Sequence, residues 1–198
     1  MSTTTSGTQG LTATGVPAMP VWLTIIRGVI IAFALGALIA SAYNLSLFGG
    51  NSYYLSGYSG PAGFMIFDAI FTWLILGFML ASEFFAPQLY IRIAFIGALI
   101  LCAIFWLSAW AWAASVASSF YSWYDGWYSD NTFSAYGGSM AAAAAIGAVT
   151  WVLVIVFIVF FVRACIAAPQ SQTFPPRNPN EAELGESKPP HHEQPMAA

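Results

Sequence analysis

The chain predicts an all-α membrane protein, an antiparallel bundle of four transmembrane helices with disordered N- and C-terminal tails. Three observations carry that prediction. Only 7% of the 198 residues are charged, while 59% are hydrophobic and 17% aromatic; a soluble domain needs about 25% charge to cover its surface. Four apolar runs, at about residues 21–42, 64–85, 89–118 and 140–166, each reach the ~20 residues that cross a hydrocarbon core of ~30 Å at ~1.5 Å per residue. Within lipid a backbone must satisfy its own polar groups, so runs of this length are helices.

The elements follow in order. Residues 1–20 are rich in Ser, Thr and Gly and carry no charged side chain, which predicts a disordered segment. Residues 21–167 form the transmembrane domain. Its first span places Gly28, Ala32, Gly36 and Ala40 at four-residue intervals. They share one helix face, where small side chains let another backbone come close, either a neighbour in the bundle or a second copy of the chain. Ala40-Ser41-Ala42 resembles a signal-peptidase site, but the leader has no charged n-region and the apolar run is longer than a signal peptide's, so the span is expected to stay. Span two holds Asp68 about one turn from its outer end with no cation nearby in sequence, where it is expected to cap or hydrate the helix start.

The connection at Ala86–Tyr90 is short and contains Pro87, which forces spans two and three into an antiparallel hairpin. Span three exceeds the core thickness and is expected to tilt or to project its Trp-rich end. It repeats the small-residue pattern at Ala94, Ala98 and Cys102, then at Ala109, Ala113 and Ala117. Span four opens with Ala141–Ala145 and continues to Gly147 and Ala148; these stripes are expected to bring the four helices together. Residues 168–198 hold seven prolines and four glutamates and cannot bury enough surface to fold alone. This tail reads as a solvated spacer in which Phe174-Pro175-Pro176-Arg177 is the segment a cytosolic proline-reading partner would take. His191-His192 lacks the closed shell of a metal site.

Orientation follows from the cations. Arg27, Arg92, Arg163, Arg177 and Lys188 all fall on the side of the termini, and the connections at about 43–63 and 119–139 have none. Excess Lys and Arg marks the cytosolic side, so both termini are expected there. Trp22 and Tyr90 suit the inner interface, and Trp110, Trp112, Trp123 and Trp127 the outer one. Arg27, Glu83, Arg92 and Arg163 lie within about two turns of the cytosolic boundary, where long side chains snorkel. Glu83 can reach Arg92 across the hairpin or Arg27 on span one, and such a charge network would fix helix register.

The second outer connection is aromatic, and Trp123, Tyr124, Trp127 and Tyr128 in particular are expected to anchor on the outer leaflet at headgroup depth. Arg92, Phe95 and Leu99 fit a proposed sterol-contact pattern. Asn44-Leu45-Ser46 is a formal glycosylation sequon that abuts the membrane and is expected to remain unmodified. The composition excludes a nucleic-acid partner, since no basic patch exists to neutralise phosphate. No span contains His or Lys and no C-x-x-C occurs, so a bis-histidine haem, a Schiff-base anchor and a thiol oxidoreductase lack their residues. No catalytic, cofactor-binding or metal-ligating set is assigned, no cofactor is expected, and the chain is expected not to be an enzyme. Cys102 falls mid-span and is expected to be inert. Cys165 lies at the cytosolic end of span four, either as a palmitoylation site or as an ordinary small residue.

With Arg27 early in a glycine- and alanine-rich first helix, a short inner hairpin, aromatic residues from Trp106 to Trp112, and Arg163-Ala164-Cys165 closing span four, residues 20–167 resemble the MARVEL-domain tetraspan proteins. The likeness is to fungal members similar to the non-classical export protein group. Claudins and tetraspanins carry outer-connection cysteines that this chain lacks. The resemblance implies a non-enzymatic organiser of membrane: lipid microdomain organisation, membrane shaping or vesicle trafficking at the plasma membrane. It also implies self-association as a homo-oligomer and contact with membrane lipids such as sterol or sphingolipid. The competing readings are a small transporter or channel subunit, which needs polar groups converging at mid-membrane, and an accessory subunit that anchors a larger complex.

Overall fold

The structure is a computed structural model that describes residues 11, 15–17, 19–47, 59–87, 90–122 and 134–167 in full, and the backbone alone of 123–124 and 131–133. Its four long helices are α1 (Val21–Ser46), α2 (Gly60–Phe85), α3 (Arg92–Tyr124) and α4 (Asn131–Ala167). Each is long and apolar enough to cross a membrane, one per apolar run, which makes the chain a multi-pass membrane protein.

Local chemistry sets several of the ends. Pro20, extended at ψ 147°, precedes α1. Pro61 stands at the start of α2, where its missing N–H would be unpaired in any case. At the other end of α2, Ala86 leaves helical backbone with ψ 66°, as expected of a residue that precedes proline. Away from the termini the helices continue past the spans read from sequence, because hydropathy measures what lipid covers, whereas helical hydrogen bonds persist until something interrupts them.

Consecutive helices run antiparallel. α1 packs on α2 and α4, α3 packs on the same two, and α2 and α4 touch sparsely across the diagonal. The inward face of α1 is Leu23, Arg27, Ile30, Ala34, Ala37, Ser41 and Asn44. Its alternating steps of four and three keep one seam turned to the neighbours. Between α3 and α4, Ala109, Ala113 and Ala117 are buried, as is Trp106. Gly147 of α4 meets α2 and α3 so closely that a Cβ there would lie 2.7 Å from Met65 Cε and 3.1 Å from Trp110 Cβ. Only a minority of each span, 28% to 39% of its most apolar window, is buried; the rest faces outward with side chains such as Phe67, Leu74, Phe78, Ile100 and Val152 exposed. A bundle this apolar outside is solvated by lipid tails, not water.

Part of the leader expected to be disordered over residues 1–20 sits on the bundle. Gly15 donates its N–H to the Tyr90 carbonyl at 3.0 Å and accepts from Arg92 Nε at 2.9 Å, while Val16 and Met19 rest on the core. Gly15 adopts φ 102°, a conformation open to glycine and strained for side chains. The anchor residues Trp127 and Tyr128, the side chains of Trp123 and Tyr124, and the tail at 168–198 lie outside the described residues.

Candidate functional site

Three features are built from the residues that sequence reasoning singles out. The first is a buried polar cluster at the end of the bundle that carries the termini. Arg27 turns inward from α1, 3% exposed, and pairs with Glu83 of α2 through Nη1 at 2.7 Å. Its guanidinium also stands 5.2 Å from the Phe157 ring centre and donates to Met19 Sδ at 3.0 Å. The expected four-residue network is divided. Arg92 does not join this pair but donates to the carbonyls of Gly15 at 2.9 Å and Cys165 at 3.4 Å, tying leader, hairpin and α4 together. Arg163 is exposed on the far side of α4. Helical geometry explains the division: Arg27 shares the inward face of α1 with Leu23 and Ile30, whereas Arg163 falls between the inward residues Phe161 and Cys165.

Two further expectations change here. Tyr90, expected at the interface, is fully buried with its ring 4.6 Å from that of Phe95. Its hydroxyl finds no hydrogen-bond partner among the described residues. Burial first, and then the Glu83 carboxylate, push its phenol above the ordinary tyrosine range. Cys165 is also fully buried, one α4 step beyond Phe157 and Phe161 on the inward face. The thiol therefore faces the core and is not presented for palmitoylation, which corrects that reading.

The second feature lies inside the bundle around Asp68. Because α2 begins at Gly60, Asp68 is the ninth residue of the helix, roughly 12 Å from its start. It does not cap α2; the capping position is Ser59. Its carboxylate is fully buried and neither oxygen has a hydrogen-bond partner among the described residues. One turn on, Thr72 Oγ1 donates to the Asp68 carbonyl at 2.8 Å, accepts from Trp106 Nε1 at 2.8 Å, and lies 3.3 Å from Cys102 Sγ. The sequence signal was the i, i+4 spacing of Asp68 with Thr72 on α2 and of Cys102 with Trp106 on α3, which places each pair on one face. Towards the far end, Asn44 Nδ2 donates to Tyr136 O at 3.1 Å and Ser139 Oγ at 2.9 Å. The sequon asparagine is thus spent inside the bundle.

The third feature is the outward face of α1. Gly28 and Ala32 are exposed and Gly36 and Ala40 half-buried, so this stripe is largely outside the seam that α1 makes with its neighbours. A Cβ at Gly28 would meet nothing within 4 Å, and one at Gly36 would sit 3.7 Å from Ile146. Gly36 and Ala40 line an apolar groove of about 560 Å³ with Ala135, Gly138 and Ala142 of α4. A second apolar groove, of about 640 Å³, runs between α2 and α3 past Leu74, Phe78, Ala94 and Phe95; of the proposed sterol-contact residues, Phe95 lines it while Arg92 is turned away into the bundle. Among the described residues no group of His, Cys, Asp and Glu is placed to hold a metal ion. Comparison with protein-family models, with curated proteins and with solved structures finds no match to this chain.

Proposed function

We propose that this protein is a non-enzymatic organiser of membrane that associates with copies of itself and with lipid, acting in microdomain organisation, membrane shaping or vesicle trafficking. The observation that carries the reading is the outward small-residue face of α1. Gly28 and Ala32 lie outside the intramolecular seam, and Gly36 and Ala40 stand half-buried at its edge beside α4; such small faces let two helices approach closely enough for dispersion and Cα–H contacts to hold them. The resemblance of residues 20–167 to MARVEL-domain tetraspans supports the same reading and suggests the plasma membrane, with sterol or sphingolipid as lipid partners. The cation distribution supports cytosolic termini.

The test is live imaging of the full chain with a fluorescent tag at its C-terminus. Stable surface patches are expected, dispersed by Gly28→Leu and by sterol or sphingolipid depletion. Gly28→Leu is the informative variant because the position is open in the bundle, so a dispersed phenotype is not a folding defect. A uniform, mobile distribution indifferent to both treatments would contradict the proposal. The polar interior at Asp68 favours a second reading, a small transporter or channel subunit, which solute flux in reconstituted vesicles would reveal.

A further inference from the structure

The interior at Asp68 supports an assignment independent of the organiser reading. We infer that Asp68 is a proton-binding site inside the bundle. A carboxylate inside a membrane-spanning helix is costly and calls for a compensating partner. Here the side chain is fully buried and both oxygens lack one among the described residues.

Contacts on either side of Asp68 fix its depth. Trp73 Nε1, five residues towards the termini, donates to the Ile31 carbonyl at 3.2 Å, and Met65, three residues towards the far end, lies against Gly147 of α4. Asp68 therefore sits well inside the span, enclosed by the other helices. Orphaned polar groups of this kind are served by buried water, and a buried carboxylate left without a partner is neutralised by taking up a proton.

Donor arithmetic selects the proton over a metal cation. The Thr72 hydroxyl spends its proton on the Asp68 carbonyl and accepts from the Trp106 indole, with Cys102 against it. It has little left to offer a metal. That leaves the two carboxylate oxygens, fewer than the six or more oxygens a hard cation gathers. The charged surroundings agree. From α3 the titratable group facing the site is Cys102. α1 carries no ionisable side chain between Arg27 and Tyr43, and α4 presents Thr150, which hydrogen-bonds its own Ile146 carbonyl at 2.8 Å. The nearest ion pair on α2 is at Glu83, roughly 22 Å along the helix. Among the described residues no cation competes for the carboxylate, and a proton neutralises it without further ligands.

The experiment is infrared difference spectroscopy of the full chain in phosphatidylcholine nanodiscs, stepping buffer pH and exchanging H₂O for D₂O. A protonated-carboxyl C=O band that rises and falls with pH and shifts in D₂O is expected. It should vanish in Asp68→Asn, a near-isosteric change, and move in position in Asp68→Glu. Superimposable wild-type and Asp68→Asn carboxyl regions at every pH would overturn the assignment. So would a band that answers to sodium or potassium instead of pH, which would mark a metal-cation site.

Discussion

Glu83 has two arginines within sequence reach and takes the one on α1, and that choice shapes the terminal end of the bundle. With Arg27 and Glu83 both withdrawn from full exposure and only 2.7 Å apart, removing one partner strands the other. Arg27→Met is expected to destabilise the fold by about 3 kcal/mol, tempered by the partial exposure of Glu83. The double change Arg27→Met with Glu83→Met should recover much of that loss in thermal unfolding of the detergent-solubilised protein. Tyr90 gives a pH prediction. Its phenol is pushed above its ordinary value of ~10, so the fold favours the neutral form. The contribution is fully present below about pH 10 and is lost as pH rises through the higher folded-state value, roughly 1.4 kcal/mol by about pH 11. Tyr90→Phe should flatten this alkaline limb with little cost at neutral pH, because the hydroxyl it removes has no partner among the described residues. Sequence placed these charges at one end of the bundle because snorkelling range depends on position along a span. It did not reveal the pairing, which depends on how each helix is rotated about its own axis.

Helix rotation also separates what was legible at the scale of elements from what was not. The four apolar runs gave four helices, and the short link at Pro87 gave the hairpin. The small-residue stripes looked alike in sequence, yet α3 turns Ala109, Ala113 and Ala117 inward while α1 leaves Gly28 and Ala32 outside. Spacing assigns residues to a common face but not the direction that face points. Two substitutions at glycine distinguish the outcomes. Gly147→Leu must displace Met65 and crowd Trp110, and is expected to cost about 1–3 kcal/mol through overpacking. Gly28→Leu points into open space and should leave unfolding within ~0.5 kcal/mol. At the α2–α3 contact, Thr72→Val would orphan the Trp106 indole N–H. About 1 kcal/mol is expected, in line with the modest worth of interhelical hydrogen bonds in membranes. Asp68 was misplaced from sequence because apolar composition put the start of span two at residue 64, whereas Gly60-Pro61 begins the helix a turn earlier.

For the whole molecule, the architecture divides its polar chemistry from its lipid-facing surface. Among the described residues the buried polar side chains gather in an ionic group near the termini, a second group around Asp68 and a third at Asn44, while the exterior offers apolar side chains, apolar grooves and the small face of α1. Function was less legible than fold for a physical reason: a surface that works by lateral contact in lipid has no ligand-spaced residues to read. The most direct measurement is single-molecule photobleaching of the purified full chain diluted into phosphatidylcholine vesicles containing sterol, comparing the wild type with Gly28→Leu. If the outer face of α1 organises membrane by self-association, the wild type should bleach in multiple steps that increase with protein-to-lipid ratio, and Gly28→Leu should shift most spots to one step. Single-step bleaching of both proteins across the same range would contradict that role.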